Sequence, residues 1–366
     1  MSVAKTYILF LKYHTVENHG SSIMPLHYGH PPEYLYNRMV KLGGIISDII
    51  IGNYGEEFYL NRLADPFWFH SLSLAIGFDW NSSGTTTATL GALKEYINKG
   101  DSLKILGGKG RHMGGIKEEF DSIEAEGNIP AGKIDRIRKD AKLIGRVDEK
   151  LLQDGFNLYM QFIIIDYHGN YTIVNQGMNS ESRLARRYHW KNSNMDLYND
   201  ARNGISGFEN MIKLDLSTRK SEENRSGIID IIKDNPLKYS RQRSLDNFME
   251  SAPALDLNYR IDWNRMRELY EYNPGTFQEL MAIPGLEKST IRALSYLSEI
   301  IYGDAPSFAD PVKYSFCLGG KDGVPKPVNV YDYDKAIDFY REILHGNRYY
   351  GKISRRLAKM NHKNSL

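Results

Sequence analysis

The sequence has little cysteine, no long apolar run and almost no net charge. Its 366 residues include one cysteine, Cys317, which excludes a disulfide framework and any zinc or iron–sulfur centre built from cysteines. No apolar segment reaches membrane length and no signal-peptide pattern is present, so we expect a cytoplasmic protein with no membrane association. The formal net charge of +2 favours no particular class of partner.

The positive charge is nevertheless concentrated along the chain. Basic residues cluster in the ranges 104–117, 133–150, 183–191 and 348–366. Basic stretches on a nearly neutral protein are typical of phosphate-backbone binding. Each cluster taken alone is equally compatible with an ordinary solvated surface.

The hydrophobic periodicity predicts an α+β fold, with a small antiparallel sheet in an N-terminal mixed part and a mostly helical C-terminal domain. The range 1–215 would be an α+β catalytic or anion-binding domain, and 216–366 a helical domain with a basic tail. Strands are predicted at 4–13 and 103–106, and a hairpin from 156–166 and 171–177. Helices are predicted after Pro31 and Pro32, and at 56–63, 85–97, 117–145, 219–233, 238–250, 262–272, 276–282, 287–302, 332–345 and 348–361.

Residues 276–302 resemble a helix-hairpin-helix, a module found in many DNA repair proteins. A tight Pro-Gly turn at Gly285 separates two apolar-faced helices, and Lys288 and Ser289 open the second one. Glycine lets the backbone approach a phosphate, and free N–H groups at a helix start favour anions. Glu287 stands where the module normally has a second glycine. The alternative is an ordinary helical hairpin.

Two further segments are candidate anion sites. Asp79 precedes a run of hydroxyl side chains at a predicted helix start, among them Ser82, Ser83 and Thr85. A Gly-rich loop after the strand at 103–106 carries Lys109 and could wrap a phosphate, although it lacks the spacing of a Walker loop. Helix capping would explain the hydroxyl run equally well.

The predicted hairpin carries the densest polar set. Among its members are Asp154, Gln176, Arg183, Arg186, Arg187 and His189. A carboxylate, an amide, arginines and a histidine together suit a site that holds phosphates and moves a proton. A surface network at a sheet end is the alternative.

Nine short stretches together resemble one family. They are Met24-Pro25-Leu26-His27, Arg38-Met39-Val40-Lys41-Leu42, Asp65-Pro66-Phe67-Trp68-Phe69, Gly77-Phe78-Asp79-Trp80-Asn81-Ser82-Ser83-Gly84, Gly91-Ala92-Leu93-Lys94-Glu95, Leu152-Gln153-Asp154-Gly155-Phe156, Gln176-Gly177-Met178-Asn179, Ala185-Arg186-Arg187-Tyr188-His189-Trp190 and Gly319-Gly320-Lys321-Asp322-Gly323. The chain is similar over about 20–345 to domain-of-unknown-function group seven-six-three, a family typical of archaea and some thermophilic bacteria. The family pattern has histidine where this chain has Asn81. The resemblance implies no activity.

The residues themselves favour a nucleic-acid-processing protein, specifically a metal-assisted, structure-specific nuclease in DNA repair or DNA metabolism. Asp79 and Asp154 would hold Mg²⁺ or Mn²⁺, with His189 as general base and Gln176 in the catalytic set. The predicted phosphate-binding residues are Ser82, Ser83, Thr85, Lys109, Arg183, Arg186, Arg187, Gly285, Lys288 and Ser289. DNA is favoured over RNA as the partner, and the oligomeric state is left open.

Three other hypotheses fit the same residues. A helix-hairpin-helix glycosylase would use Asp304 or Asp310 after the module, although neither has the usual spacing. A non-catalytic DNA- or RNA-binding protein would use only the hairpin and the basic tail. An enzyme acting on a small phosphorylated or nucleotide substrate would use the hydroxyl and Gly-Lys segments instead.

Overall fold

The structure is a computed structural model that describes residues 24–27, 29–78, 82–192, 196–208, 212–241 and 262–312. These ranges contain eleven α-helices and one five-stranded antiparallel sheet, which confirms the predicted α+β class. The predicted strand at 4–13, most of the helix at 238–250, the helices at 332–345 and 348–361, and the basic tail lie outside the described residues. No helix in the described ranges has both the length and the apolarity needed to cross a membrane.

Four helices precede the sheet: α1 (Glu33–Tyr54), α2 (Glu56–Leu63), α3 (Pro66–Ala75) and α4 (Ser83–Ile97). The sequence predicted α1, α2 and α4 but missed α3. Asp65 caps α3, because its Oδ1 accepts hydrogen bonds from the N–H groups of Phe67 (2.9 Å) and Trp68 (3.2 Å). Pro66 occupies the first helical position, where its missing N–H has no partner to lose.

The sheet is a meander in which each strand pairs with the next. Its strands are β1 (Leu103–Lys109), β2 (Asn157–Asp166), β3 (Tyr171–Asn179), β4 (Leu184–Lys191) and β5 (Gly204–Ser206). The predicted β2–β3 hairpin is confirmed, whereas β4 and β5 were not predicted. The Gly-rich segment that was predicted as a loop belongs to β1 up to Lys109.

Three helices lie between β1 and β2: α5 (Arg111–Gly114), α6 (Ile116–Glu126) and α7 (Ala131–Arg146), the last continuing into a π-helical turn, Val147–Leu151. The single helical stretch predicted at 117–145 is thus two helices. Gly127 ends α6 in the left-handed conformation (φ +69°), and Pro130 then precedes α7.

The C-terminal described part is helical, as predicted. A 3₁₀ turn (Arg219–Ser221) leads into α8 (Glu222–Lys233), and a second 3₁₀ turn covers Pro236–Arg241. Then follow α9 (Trp263–Tyr272), α10 (Phe277–Ala282) and α11 (Lys288–Tyr302), each within two residues of its predicted bounds.

A hydrophobic core lies on each face of the sheet. On the first face, residues of α1–α4 pack with alternate residues of the strands, such as Phe162 and Val174. On the second face, Ile163 and Ile173 pack with residues of α6–α11, including Leu294. Because side chains alternate along a strand, neighbouring residues of β3 and β4 face different cores.

Candidate functional site

The two adjacent arginines of β4 lie on opposite faces of the sheet. In the antiparallel register Gln176 pairs with Arg187, and Gly177 pairs with Arg186. Both arginine side chains are fully buried. The predicted set is therefore split, with Asp154 and Arg186 on the second face and Gln176, Arg187 and His189 on the first.

On the second face, Arg186 is enclosed by acceptors. Its Nη1 lies 3.1 Å from an oxygen of Asp154 and 3.1 Å from Oδ1 of Asp310, and its Nη2 donates to the Phe208 carbonyl (2.6 Å) and to Asp310 Oδ2. The Tyr188 hydroxyl donates to Asp154 (2.8 Å). Burial lowers the Arg186 pKa, but the two carboxylates outweigh it and hold the pKa above its usual value. The Asp154 carboxylate thus already has protein partners.

A second buried ion pair lies close by. Asp148 accepts hydrogen bonds from Arg202 Nε (2.6 Å), Trp190 Nε1 (2.8 Å) and Asn175 Nδ2 (2.7 Å). Burial raises the Asp148 pKa, while Arg202 opposes that rise. Sequence reasoning did not connect these residues, because the three partners lie between 27 and 54 residues from Asp148. The three hydrogen bonds to the Asp148 carboxylate indicate a structural role, although Asn175 Oδ1 is buried without a partner in the described structure.

On the first face, Arg187 is a buried cation with no carboxylate partner among the described residues. Its Nε donates to His189 Nε2 (2.8 Å), its Nη1 donates to Thr86 Oγ1 (3.2 Å), and its guanidinium lies 4.6 Å from the centre of the Phe69 ring. Its Nη2 is buried and has no hydrogen-bond partner there. Burial lowers the Arg187 pKa to about 9.

His189 has partners at both ring nitrogens. Its Nδ1 lies 2.9 Å from the Leu63 carbonyl, so Nδ1 carries the proton, and Nε2 accepts from Arg187. Burial, reinforced by the neighbouring Arg187 charge, holds its pKa well below the usual value. The neutral imidazole orients Arg187. The general-base role predicted for His189 would require the Nε2 lone pair that Arg187 occupies.

Gln176 joins this face to the start of α4. Its Nε2 donates to the Ser83 carbonyl (3.0 Å) and contacts the Tyr159 hydroxyl, while its Oε1 is buried without a partner in the described structure. Lys109 is exposed, and its Nζ lies 5.8 Å from the centre of the Tyr159 ring. A row of polar groups therefore leads from the surface at Lys109 to the buried Gln176.

The predicted hydroxyl residues at the start of α4 contact other protein groups. The Ser82 N–H donates to Thr85 Oγ1 (3.1 Å), Ser83 Oγ accepts from the His27 N–H (2.8 Å), and the Ser83 N–H donates to the Pro25 carbonyl (3.0 Å). All three residues are buried. They cap α4 and attach it to the segment 24–27.

Sequence reasoning missed His70, which lies on α3 next to Phe69. Its side chain is 3% exposed, and neither ring nitrogen has a hydrogen-bond partner in the described part of the chain. Burial, and then the Arg187 charge, lower its pKa to about 4. The segment Asp65–His70 stood out for its aromatic residues, but nothing in its spacing indicated that His70 lies near Arg187.

The remaining predicted residues lie elsewhere. Arg183 is exposed in the β3–β4 turn with φ +57°, and Asp79 is outside the described residues. Gly285 and Ser289 are exposed at the α10–α11 turn. Lys288 forms an ion pair with Glu149 (3.0 Å) and donates to Asn157 Oδ1 (2.7 Å), which ties the start of α11 to the sheet.

Within the described ranges, no group of three or more histidine, cysteine, aspartate or glutamate side chains is arranged to hold a metal ion. Since Asp79 is outside those ranges, the predicted pairing of Asp79 with Asp154 around Mg²⁺ or Mn²⁺ stays a prediction.

Comparison with known proteins gives one match. A family model described as "Protein of unknown function (DUF763)" matches residues 20–328, which is more than half of the chain. No curated protein and no solved structure matches.

Proposed function

The chain belongs to the DUF763 family, and because the description of that family assigns no activity, we propose from the geometry that residues 276–302 bind the phosphate backbone of a nucleic acid. One observation carries this proposal. Gly285 turns the chain with φ +69° three residues before the start of α11, and the residue at the helix cap, Glu287, supplies no side-chain hydrogen bond. The N–H groups of a first helical turn have no partner within the helix, so they are available to an anion.

The charges around the turn support the same proposal. Three cations from other segments donate to its carbonyl oxygens: Arg146 to Met281, Lys150 to Leu286, and Arg265 to Pro284. They occupy the acceptors of the turn and bring positive charge to it, which attracts a polyanion, although Arg265 also pairs with Glu268 and Lys150 faces Glu287 and Glu149. Because Glu149 pairs with Lys288, the phosphate contact would rely on the backbone and on Ser289.

We also propose that the nucleic acid is DNA rather than RNA and that the protein is cytoplasmic. Metal-assisted hydrolysis stays a prediction within this proposal. Both Asp154 oxygens already accept hydrogen bonds, Oδ2 from Arg186 and Tyr188 and Oδ1 from the Phe156 N–H (3.0 Å). Running the binding reactions with Mg²⁺, Mn²⁺ or EDTA, and comparing wild type with Asp79→Asn, tests that step. The glycosylase alternative would have to use Asp304 or an Asp310 that is already paired with Arg186.

The binding test adds a negative charge at the first turn of α11. Ser289→Glu should fold normally, because a carboxylate stabilises a helix start, but it should repel a phosphate. We expect it to weaken binding to labelled duplex and single-stranded DNA and RNA severalfold at low salt. The slope of log affinity against log salt should flatten by about one unit.

Ala131→Glu is the matched control. It adds the same charge at the exposed first turn of α7, about 22 Å along that helix from Arg146 at 1.5 Å per residue. This variant should bind like wild type. Equal affinities and salt slopes for Ser289→Glu and wild type would show that the hairpin does not contact nucleic acid.

A further inference from the structure

The first face of the sheet carries unpartnered buried polar atoms on three neighbouring side chains. They are Nη2 of Arg187, Oε1 of Gln176 and both ring nitrogens of His70. Each of these residues is at most 3% exposed. Buried polar atoms in folded proteins almost always have a partner, so several orphans in one place indicate a missing ligand.

Two of these side chains reach the first turn of α4. Arg187 reaches it through Thr86, and Gln176 reaches it through the Ser83 carbonyl. Gln176 and Arg187 are also direct register partners on β3 and β4. His70 directly follows Phe69, whose ring centre lies 4.6 Å from the Arg187 guanidinium, and the Arg187 charge helps to lower the His70 pKa.

The chemistry of the orphaned atoms specifies the ligand. An unpaired guanidinium calls for an anion, and Arg187 Nη2 offers it a donor. Gln176 Oε1 needs a donor in return, which a protonated oxyanion supplies. Neutral His70 offers one donor and one acceptor. A phosphate group that carries one proton accepts from Arg187 Nη2 and from the His70 N–H and donates to Gln176 Oε1, which leaves only the second His70 nitrogen without a partner.

We propose that Arg187, Gln176 and His70 form a buried site for a terminal phosphate group, either free phosphate or the monoester at the end of a nucleic-acid strand. An internal phosphodiester, with a nucleoside on each side, is too bulky for a guanidinium that is fully buried. The exposed Lys109 above Tyr159, and the Tyr159 contact with Gln176, mark the approach from the surface. The site is independent of the hairpin at 276–302.

The adjacent arginines of β4 provide a matched test. Inorganic phosphate should raise the melting temperature of the full-length protein in a saturable way, against sodium chloride of equal ionic strength. Arg187→Met removes an uncompensated buried charge, so its melting temperature without phosphate should equal or exceed that of wild type. Its affinity for phosphate should fall about ten- to a hundredfold, the cost of losing a charged hydrogen bond.

Arg186→Met is the control. It deletes an equally buried cation that is paired with Asp154 and Asp310, so it should lower the melting temperature yet keep the phosphate response. If Arg187→Met does not fold, His70→Glu tests the same site. This change loses no hydrogen bond in the described structure and gives Arg187 an internal counter-ion. His70→Glu should stabilise the protein and abolish the rise in melting temperature with phosphate.

Oligonucleotides with and without a 5′-phosphate identify the source of the group. A response to free phosphate alone assigns a free-phosphate site, and a preference for the phosphorylated strand assigns strand-end recognition. The proposal is wrong if none of these ligands gives a saturable effect, or if Arg187→Met responds like wild type. The two proposals can fail separately. If Ser289→Glu does not weaken nucleic-acid binding, the test of the phosphate site at Arg187 is unaffected.

Discussion

At the scale of single residues, His70 makes stability depend on pH. The pKa of His70 is about 4 in the folded protein, against 6.5 for an ordinary histidine, because burial and Arg187 disfavour the charged form. Between these values the unfolded chain binds more protons, so acidification favours unfolding. The free energy of unfolding should therefore fall as the pH drops from 6.5 to 4, with a share of about 3 kcal/mol from His70.

Urea unfolding at pH 7, 5.5 and 4.5 measures this dependence. His70→Asn should flatten the decline without removing it, because His189 contributes in the same direction. The exposed His168→Asn is the control and should leave the decline unchanged. A His70→Asn curve parallel to that of wild type would refute the assignment.

The sequence predicted which residues form the polar cluster on β4, but it did not predict which of them pair with each other. The run Arg186-Arg187-Tyr188-His189 was singled out as a polar cluster, and all four side chains are buried and hydrogen-bonded. Which arginine is neutralised depends on strand alternation and on Asp310, 124 residues away from Arg186. No local pattern contains that information, so the sequence could not separate the paired Arg186 from the unpaired Arg187.

At the scale of elements, the contact between α1 and α4 depends on a missing side chain. A Cβ on Gly44 would lie 2.2 Å from Cγ of Tyr96, and that ring is held by a hydrogen bond from its hydroxyl to Asp48 Oδ2 (2.8 Å). Gly44→Ala should therefore force the helices apart and lower the free energy of unfolding by about 1–3 kcal/mol or more. Thermal and urea unfolding measure the loss.

Gly132→Ala is the matched substitution on α7, where a Cβ would meet nothing within 4 Å. It should stabilise the protein by up to about 1 kcal/mol, because alanine loses less backbone entropy in a helix. The two Gly→Ala changes should thus alter the free energy of unfolding in opposite directions. If Gly44→Ala were neutral or stabilising, the close packing of α1 on α4 would be incorrect.

The missed elements have identifiable physical causes. A strand such as β4 is normally recognised by alternating apolar and polar residues, but here arginine and histidine side chains are buried on both faces. α3 did have a signal, since Asp65 followed by Pro66 is a regular helix start. The signal is ambiguous, because Pro66 stands three residues after the last residue of α2, where a proline equally marks the end of a helix.

At the scale of the whole molecule, one hydrophobic cluster joins the sheet to the C-terminal helices. Ile163 and Ile173 belong to the sheet, whereas Leu216 and Leu294 belong to the part predicted as the C-terminal domain. All four residues lie in the same cluster. The predicted boundary between 215 and 216 therefore runs through a continuous core. Continuous burial of this kind favours unfolding of both parts as one cooperative unit.

Hydrogen exchange followed by mass spectrometry can decide between one unit and two. Leu294 is fully buried, so Leu294→Ala should cost about 2–5 kcal/mol by leaving a cavity. If the cluster unfolds as a unit, the amides of β3 should lose as much protection as those of α11, although β3 carries no substitution. The exposed Glu271→Ala on α9 should change neither. Full protection of β3 in Leu294→Ala would instead establish two independently folding domains, and the ties of Lys288 and Arg146 across that boundary would then be contacts between domains.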